Sequence, residues 1–128
     1  MYPNDLRYTP EHEWVRLHSD GTATVGITTY AQEELGDIVF VDLPKVGSRL
    51  DQFAKFGEVE SVKTVSDLFL PMGGVVLEAN EKLRQQPELV NKDPYGDGWL
   101  IMIRVTDALQ ANKLMNAAQY EKTLGPAH

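Results

Sequence analysis

Apolar and polar residues alternate along much of the chain with the period of β-strands. Residues 14–18 alternate in this way, and the Asp20-Gly21 pair that follows favours a hairpin turn into a return strand over 22–27. Four consecutive apolar residues at 38–41 predict a strand covered on both faces. Turn residues set off further predicted strands at 56–62, 67–70, 74–79 and 99–105. Short strands at such near-regular spacing favour a β-sandwich or barrel over an α/β sheet.

Two short helices are predicted between the strands. Thr29 followed by Gln32 resembles a capping box, and Gly36 suits a helix C-terminus, which together predict a helix over 29–35. Pro87 favours a helical turn over 87–90, because proline is well tolerated at the first helical position.

The end of the chain has a different pattern. From 107 to 124, apolar residues recur at helical spacing without Gly or Pro, which predicts one amphipathic helix. No linker or shift in composition divides the sequence. We therefore expect a single domain over residues 1–128, with its core at about 6–105 and a C-terminal helix at about 107–124.

The amino-acid composition excludes several kinds of site and of partner. The 128 residues include no cysteine, which excludes disulfides, thiolate metal sites and cysteine nucleophiles. Lys and Arg number 12 against 19 Asp and Glu, giving a net charge of -7. Nucleic acids and anionic membranes are therefore unexpected partners, because both are recognised by clustered basic side chains. Proteins with basic patches are better candidates.

Neither a targeting segment nor a metal motif is predicted. The first residues carry no basic region followed by an apolar run, and no apolar stretch approaches the roughly 20 residues that cross a bilayer. We therefore expect a cytoplasmic protein with no signal or transit peptide. His12, His18 and His128 lack the spacing of a zinc-binding helix, so no metal site is expected.

One lysine stands out by its position between two predicted strands. Lys63 lies between the strands at 56–62 and 67–70, and Gly47 and Gly74 provide candidate turns on their outer sides. Such a hairpin holds an amine in solvent, where a modifying enzyme could engulf it. From spacing alone, a lysine at such a tip more often serves only to keep the protein soluble.

The residues around this lysine resemble a known attachment site. Glu58-Val59-Glu60-Ser61-Val62-Lys63 is similar to the lipoyl-attachment hairpin of the glycine cleavage H-protein family. Other blocks resemble the same family in the same order and cover most of residues 6–124. These blocks are His12-Glu13-Trp14-Val15, Val25-Gly26-Ile27-Thr28 with Ala31-Gln32, Leu35 to Pro44, and Asp93 to Leu100.

Two related carrier families fit less well. Biotin carriers usually flank the lysine with methionines, whereas Lys63 stands between Val62 and Thr64. Lipoyl domains of 2-oxoacid dehydrogenases typically have Asp before the lysine, and they lack the His-Glu-Trp block and the C-terminal helix. Both differences favour the glycine cleavage family.

The resemblance implies a mainly β fold, a barrel-sandwich hybrid of two antiparallel sheets with short helices and a C-terminal α-helix. It implies a non-catalytic carrier whose lipoic acid is an amide on Lys63, within an attachment hairpin that includes Glu60, Ser61, Val62 and Thr64. A lipoyl ligase or transferase would attach the group. The implied working partners are a pyridoxal-phosphate glycine decarboxylase, a tetrahydrofolate-dependent aminomethyltransferase and dihydrolipoyl dehydrogenase, among which the arm carries an aminomethyl group.

Glu13 is a second candidate site residue. The family suggests that it lines a cleft that covers the loaded arm, where a carboxylate could pair with the amine. A solvated residue at the end of a strand is the competing interpretation. Two alternative functions also stay open: a relay that donates lipoyl groups to other proteins, and an unmodified scaffold with the same fold.

Overall fold

The computed structural model describes residues 2–125, which form short β-strands joined by turns and short helices. The strands are β1 Arg7–Tyr8, β2 Glu13–Leu17, β3 Thr22–Ile27, β4 Ile38–Asp42, β5 Arg49–Leu50, β6 Lys55–Ser61, β7 Val65–Phe69, β8 Gly74–Ala79 and β9 Ile101–Val105. The α-helices are α1 Thr29–Leu35, α2 Leu89–Lys92 and α3 Ala117–Leu124, and 3₁₀ helices span Glu81–Arg84 and Ala108–Lys113.

The strands form two antiparallel sheets with one core. The larger sheet has the order β1-β2-β3-β9-β8-β5, and the smaller has the order β4-β6-β7. Val25 and Ile103 of the larger sheet share a buried apolar cluster with Val59 and Leu68 of the smaller sheet. Burying these side chains stabilises each by about 1.5–3 kcal/mol relative to exposure. The predicted fold class, mainly β with two antiparallel sheets, is confirmed.

Strand β4 corrects the prediction of a strand covered on both faces. Ile38 and Val41 are buried, but Val39 and Phe40 are 47% and 56% exposed. The pairing of β4 with β6 shifts register between Ile38 and Phe40, and this irregularity directs two consecutive side chains to solvent. The continuous apolar run therefore has an exposed part that its composition does not indicate.

The C-terminal stretch is not the single helix that the spacing predicts over 107–124. The 3₁₀ helix ends at Lys113, and Met115 then forms a β-bridge with Tyr8. Asn116 starts α3 through a capping box with Gln119. The chain breaks here because the bridge requires extended backbone and because Asn116 satisfies the amides of a new helix N-terminus.

Helix α3 packs against the N-terminal strands through aromatic side chains. The rings of Tyr8 and Tyr120 are stacked with centroids 4.8 Å apart, and Tyr2 contacts Tyr120 edge to face. Trp14 is fully buried in the same cluster, and its indole N–H donates to the backbone oxygens of Ile27 and Pro94. This cluster fixes the segment that leads into β2.

Three local predictions are corrected in detail. Thr28, not Thr29, caps α1, because its buried hydroxyl accepts from the amide of Ala31. The predicted turn at 87–90 lies at α2, which begins at Leu89, two residues beyond Pro87. Gly74 is not in a turn but begins β8, as the strand predicted at 74–79 requires. Glycine is needed there because a β-carbon would collide with the backbone oxygen of Arg104.

Candidate functional site

The tip between β6 and β7 is held by hydrogen bonds around Ser61. The Ser61 amide donates to the oxygen of Thr64 over 2.8 Å, and the buried Ser61 hydroxyl accepts from the amides of Lys63 and Thr64 over 3.3 and 3.1 Å. The Val62 amide donates to the oxygen of Asp37, which ties the tip to the segment after α1. A serine here forms the turn because its short side chain reaches the next backbone amides.

Lys63 lies at the outermost point of this tip and is exposed. Its Cε atom lies 3.7 Å from the position that a β-carbon on Gly36 would occupy, so the lysine stem passes beside the end of α1. Among residues 2–125, no salt bridge involves its ammonium group. Nζ is therefore available to a reagent in solution.

The other hairpin residues that the sequence singles out have distinct surroundings. Val62 and Thr64 are exposed beside Lys63, whereas Ser61 is buried beneath them. Glu60 is exposed on β6 and pairs across the sheet with Phe40 and Val65. Of this group, Ser61 shapes the backbone, while the others form the exposed surface around Lys63.

Asn91 of α2 holds the segment against which the tip rests. Its side-chain amide donates to Gln32 Oε1 and to the backbone oxygen of Gly36 over 3.0 and 2.8 Å, and its Oδ1 accepts from the amide of Ile38 over 2.9 Å. No sequence pattern indicates this role, because Asn91 contacts residues far from it along the chain.

Glu13 is buried, with only 1% of its surface exposed. Its Oε1 accepts from the hydroxyl of Thr9 over 2.6 Å, and its Oε2 accepts from the amide of Phe69 over 3.1 Å. Burial raises the pKa of Glu13 from 4.5 to about 7, because it penalises the carboxylate more than these hydrogen bonds favour it. The structure thus differs from the solvated strand end of the competing interpretation.

A cavity of about 370 Å³ opens beside Glu13. Its walls combine the aromatic side chains of Phe53 and Phe69 with Glu13 and Lys113. A second cavity of about 220 Å³ lies between α1 and β7, where His12, Leu35 and Ser66 contribute to its walls. Glu11 lines both cavities, so the two are neighbours. Phe53, Phe69 and Lys113 reach this place only through the tertiary fold, which explains why the sequence does not reveal them.

The turn that carries Glu13 is connected to α1 and α3. His12 adopts a left-handed conformation with φ of 76°, and its Nδ1 lies 2.7 Å from the hydroxyl of Tyr120. That hydroxyl also lies 2.8 Å from the hydroxyl of Thr28, the cap of α1. Burial lowers the pKa of His12, which favours the neutral imidazole. His12 is thus part of a structural network at the edge of the cavities.

Within the described part of the chain, no group of three or more His, Asp or Glu side chains is arranged to hold a metal ion. His128 lies outside the described residues, and His18 is on the surface with its Nε2 2.8 Å from the hydroxyl of Thr24. No helix within residues 2–125 combines the length and the apolar character needed to cross a bilayer.

The structure therefore groups the candidate residues into two places. One is the tip, with an exposed amine on a fixed backbone. The other is the pair of cavities, where the buried carboxylate of Glu13 shares the cavity wall with Phe53, Phe69 and Lys113. Ser66 and Phe69 of β7 line the cavities, and β7 begins two residues after Lys63, so the same strand serves both places.

Comparisons with known proteins give a consistent result. The family model for the glycine cleavage H-protein matches residues 6–127. The glycine cleavage system H protein of Bacteroides thetaiotaomicron is 58% identical over 120 residues, which are 94% of each chain. That of Chromobacterium violaceum is 54% identical over 123 residues, which are 96% of each chain.

A solved structure extends the similarity to three dimensions. The crystal structure of a glycine cleavage system H protein from Mycobacterium marinum matches with a TM-score of 0.90 and 41% identity. The match covers 98% of this chain and 100% of that one.

Proposed function

The chain belongs to the glycine cleavage H-protein family, and from that premise we propose that Lys63 carries its lipoyl group as an amide. The protein is a lipoyl carrier of the glycine cleavage system, a component that catalyses no step itself. The observation that carries the assignment to Lys63 is its exposed ammonium, without a salt-bridge partner within residues 2–125, on a tip whose backbone is hydrogen-bonded.

Attachment needs a free amine that an enzyme can reach, and the tip provides one. Lys63 Nζ attacks the carboxyl carbon of lipoic acid activated as an adenylate by ATP. The ammonium first gives one proton to solvent, which frees the lone pair of Nζ; the C–N bond then forms as the bond to the adenylate breaks, AMP leaves with the electron pair, and the nitrogen gives a second proton to solvent. The product is a neutral amide, so the net charge of the protein changes from -7 to about -8.

The lipoyl group, when bound, supplies a disulfide–dithiol pair that takes up the aminomethyl group of glycine and the accompanying electrons. We assign three enzymes as partners that meet this arm: the pyridoxal-phosphate glycine decarboxylase, the tetrahydrofolate-dependent aminomethyltransferase and dihydrolipoyl dehydrogenase. A lipoyl ligase or transferase attaches the group. These partners fit a cytoplasmic carrier domain that brings a tethered group to each enzyme at high effective concentration.

Glu13 has the chemistry to hold the cationic end of a loaded arm. The Phe53 and Phe69 side chains offer apolar contact for the arm, and the second cavity lies between this place and α1, beside which the Lys63 stem passes. An ammonium group near Glu13 stabilises its carboxylate and lowers its pKa. Glu13 thereby binds the amine and limits the access of water.

The test of the attachment site is the intact mass of the protein. Incubation with lipoic acid, ATP and a bacterial lipoate ligase should add one lipoyl group to the wild type and none to Lys63→Arg. Lys45→Arg is the matched control, because Lys45 is also exposed beside a turn. Retention of the added mass in Lys63→Arg, or its loss in Lys45→Arg, would remove Lys63 from the role.

The Glu13 assignment has a separate test. Carboxyl NMR should show the pKa of Glu13 falling from about 7 when the arm carries its amine, and Glu13→Gln should shorten the lifetime of that amine in buffer about tenfold. Glu11→Gln is the matched control, since Glu11 lines the same cavity but is exposed. An unchanged pKa and lifetime would place the loaded arm elsewhere.

A further inference from the structure

We propose that the outer face of the β4-β6-β7 sheet is the docking surface for the enzyme that acylates Lys63. This inference rests on the proposed role of Lys63. The partner it requires presents an apolar contact surrounded by Lys and Arg side chains.

The outer face contains a row of exposed side chains that starts beside the tip. Phe40 pairs with Glu60, and Glu60 pairs with Val65, so the three side chains point to the same side of the sheet. Phe40 and Val65 are each 56% exposed, and Val39 next to Phe40 is 47% exposed. Large apolar side chains concentrated in one exposed place are a mark of a protein-binding surface.

Carboxylates surround this apolar row. Two residues further along each strand, Asp42 pairs with Glu58, and Glu58 pairs with Asp67 on the same side of the sheet. Lys55 is the cation on this sheet, with Nζ 2.7 Å from Glu58 Oε2 and 3.2 Å from Asp67 Oδ1. Arg84 lies beside the sheet, where it pairs with Glu81 over 2.6 Å. With Glu60, the face has four carboxylates and one ammonium, so it complements a basic partner.

A small cavity adjoins the row on the open side of β4. Phe40 lines it together with Pro44 and Leu83, and its volume is about 110 Å³. Asp42, Glu81 and Arg84 also line this cavity, which is large enough for one side chain of the partner. An anchor in a pocket next to exposed apolar residues is the arrangement in which a few residues supply most of a binding energy.

The position of the face favours the acylating enzyme over enzymes that act on the finished arm. Before acylation there is no arm, so the enzyme must bring its own reacting atoms to Lys63 Nζ and must contact the residues beside the tip. Val65 is two positions from Lys63 and belongs to the row. Ser66, which lines the second cavity, points to the side of β7 opposite to Val65, so docking on the outer face leaves that cavity uncovered.

The experiment measures acylation of unmodified protein by a bacterial lipoate ligase with lipoic acid and ATP, over a range of carrier concentrations. The double variant Phe40→Gln/Val65→Thr should raise KM for the carrier about tenfold and leave kcat unchanged, because these residues contact the enzyme but not the reacting atoms. The single variant Asp42→Asn should raise KM about threefold at low salt and remove part of its dependence on ionic strength.

Matched controls make the result specific to this face. Leu109→Gln/Val46→Thr replaces apolar side chains that are 74% and 65% exposed outside the face, and Asp51→Asn removes an exposed carboxylate elsewhere. Both should have the KM of the wild type. Thermal unfolding of every variant verifies that the fold is retained.

The outcomes separate this inference from the proposed function. Absence of lipoyl mass on the wild-type Lys63 would contradict the proposed function itself. Normal acylation of the wild type with unchanged KM in Phe40→Gln/Val65→Thr would overturn the docking surface alone. Sedimentation that shows self-association of the wild type, lost in the double variant, would assign the face to a second copy of the chain and overturn the inference as well.

Discussion

Lys63 lies in the turn between β6 and β7 and Glu13 begins β2, and their environments are opposite. Lys63 is exposed, and the hydrogen bonds around it come from the backbone and from Ser61. Glu13 is buried, and two hydrogen bonds reach its own carboxylate. The difference suits the roles that we propose: an amine that other proteins modify needs access, whereas a carboxylate that recognises a cation gains strength where water is scarce.

The largest effect expected from this contrast is in the pH dependence of stability. The pKa of Glu13 is about 7 in the folded state and 4.5 as a free side chain, so between these values the folded state binds more protons than the unfolded state. The free energy of unfolding therefore falls as pH rises from 4.5 to 7, by roughly 3 kcal/mol. In Glu13→Gln, the free energy of unfolding should not show this decrease between pH 4.5 and 7.

Urea unfolding of the wild type and of Glu13→Gln from about pH 4 to pH 8 measures the effect as a difference, which cancels the titration of other carboxylates. Glu34→Gln, at an exposed position, is the control and should follow the wild type. A difference that is constant over this pH range would mean that burial does not distinguish Glu13 from a surface carboxylate.

A smaller effect is expected where the tip meets the body of the protein. Asn91→Ala removes the hydrogen bonds to Gln32, Gly36 and Ile38 and should lower the free energy of unfolding by about 2 kcal/mol. It should also speed hydrogen exchange at the Val62 amide, because Val62 bonds to Asp37 in the segment that Asn91 holds.

Asn4→Ala is the matched control, because Asn4 is an exposed turn residue. This variant should keep the free energy of unfolding and the Val62 exchange rate of the wild type. Equal exchange rates at Val62 in wild type and Asn91→Ala would show that the tip is ordered by its own turn alone.

The smallest effect is at the tip itself. Ser61→Ala removes the oxygen that accepts from the Lys63 and Thr64 amides and should cost about 1 kcal/mol of stability. NMR relaxation should show greater backbone motion at Lys63, whereas Ser19→Ala, in the exposed hairpin turn before β3, should not affect it. An unchanged order parameter at Lys63 would mean that the hydrogen bond from the Ser61 backbone amide to the oxygen of Thr64 is enough to hold the turn.

Much of the fold is predictable because its signals are local. Strand alternation and the Asp20-Gly21 turn predict β2 and β3, and the bounds predicted for β8 are the observed ones. The position of Lys63 between two strands is also a local property, so the exposed tip could be predicted. The capping box of Asn116 and Gln119 is present in the sequence, but apolar spacing alone predicts a continuous helix there.

The rest depends on contacts between distant segments. The break before α3 needs the bridge from Met115 to Tyr8, and the exposure of Phe40 needs the irregular pairing of β4 with β6. The environment of Glu13 needs the Phe69 amide from another strand. Such contacts leave no mark in local periodicity. The family resemblance therefore suggests a role for Glu13, whereas the sequence pattern around Glu13 does not.

The fixed turn around Ser61 also determines the entropy of each encounter. Ordering a flexible residue costs about 1–2 kcal/mol in backbone freedom, and a tip that was mobile would lose this amount at every enzyme. Here the backbone of Lys63 and Thr64 is already ordered in the free protein. If Lys63 carries the arm as we propose, only the bonds beyond the lysine Cα lose rotational freedom when an enzyme captures it, so successive partners can bind and release it without refolding the hairpin.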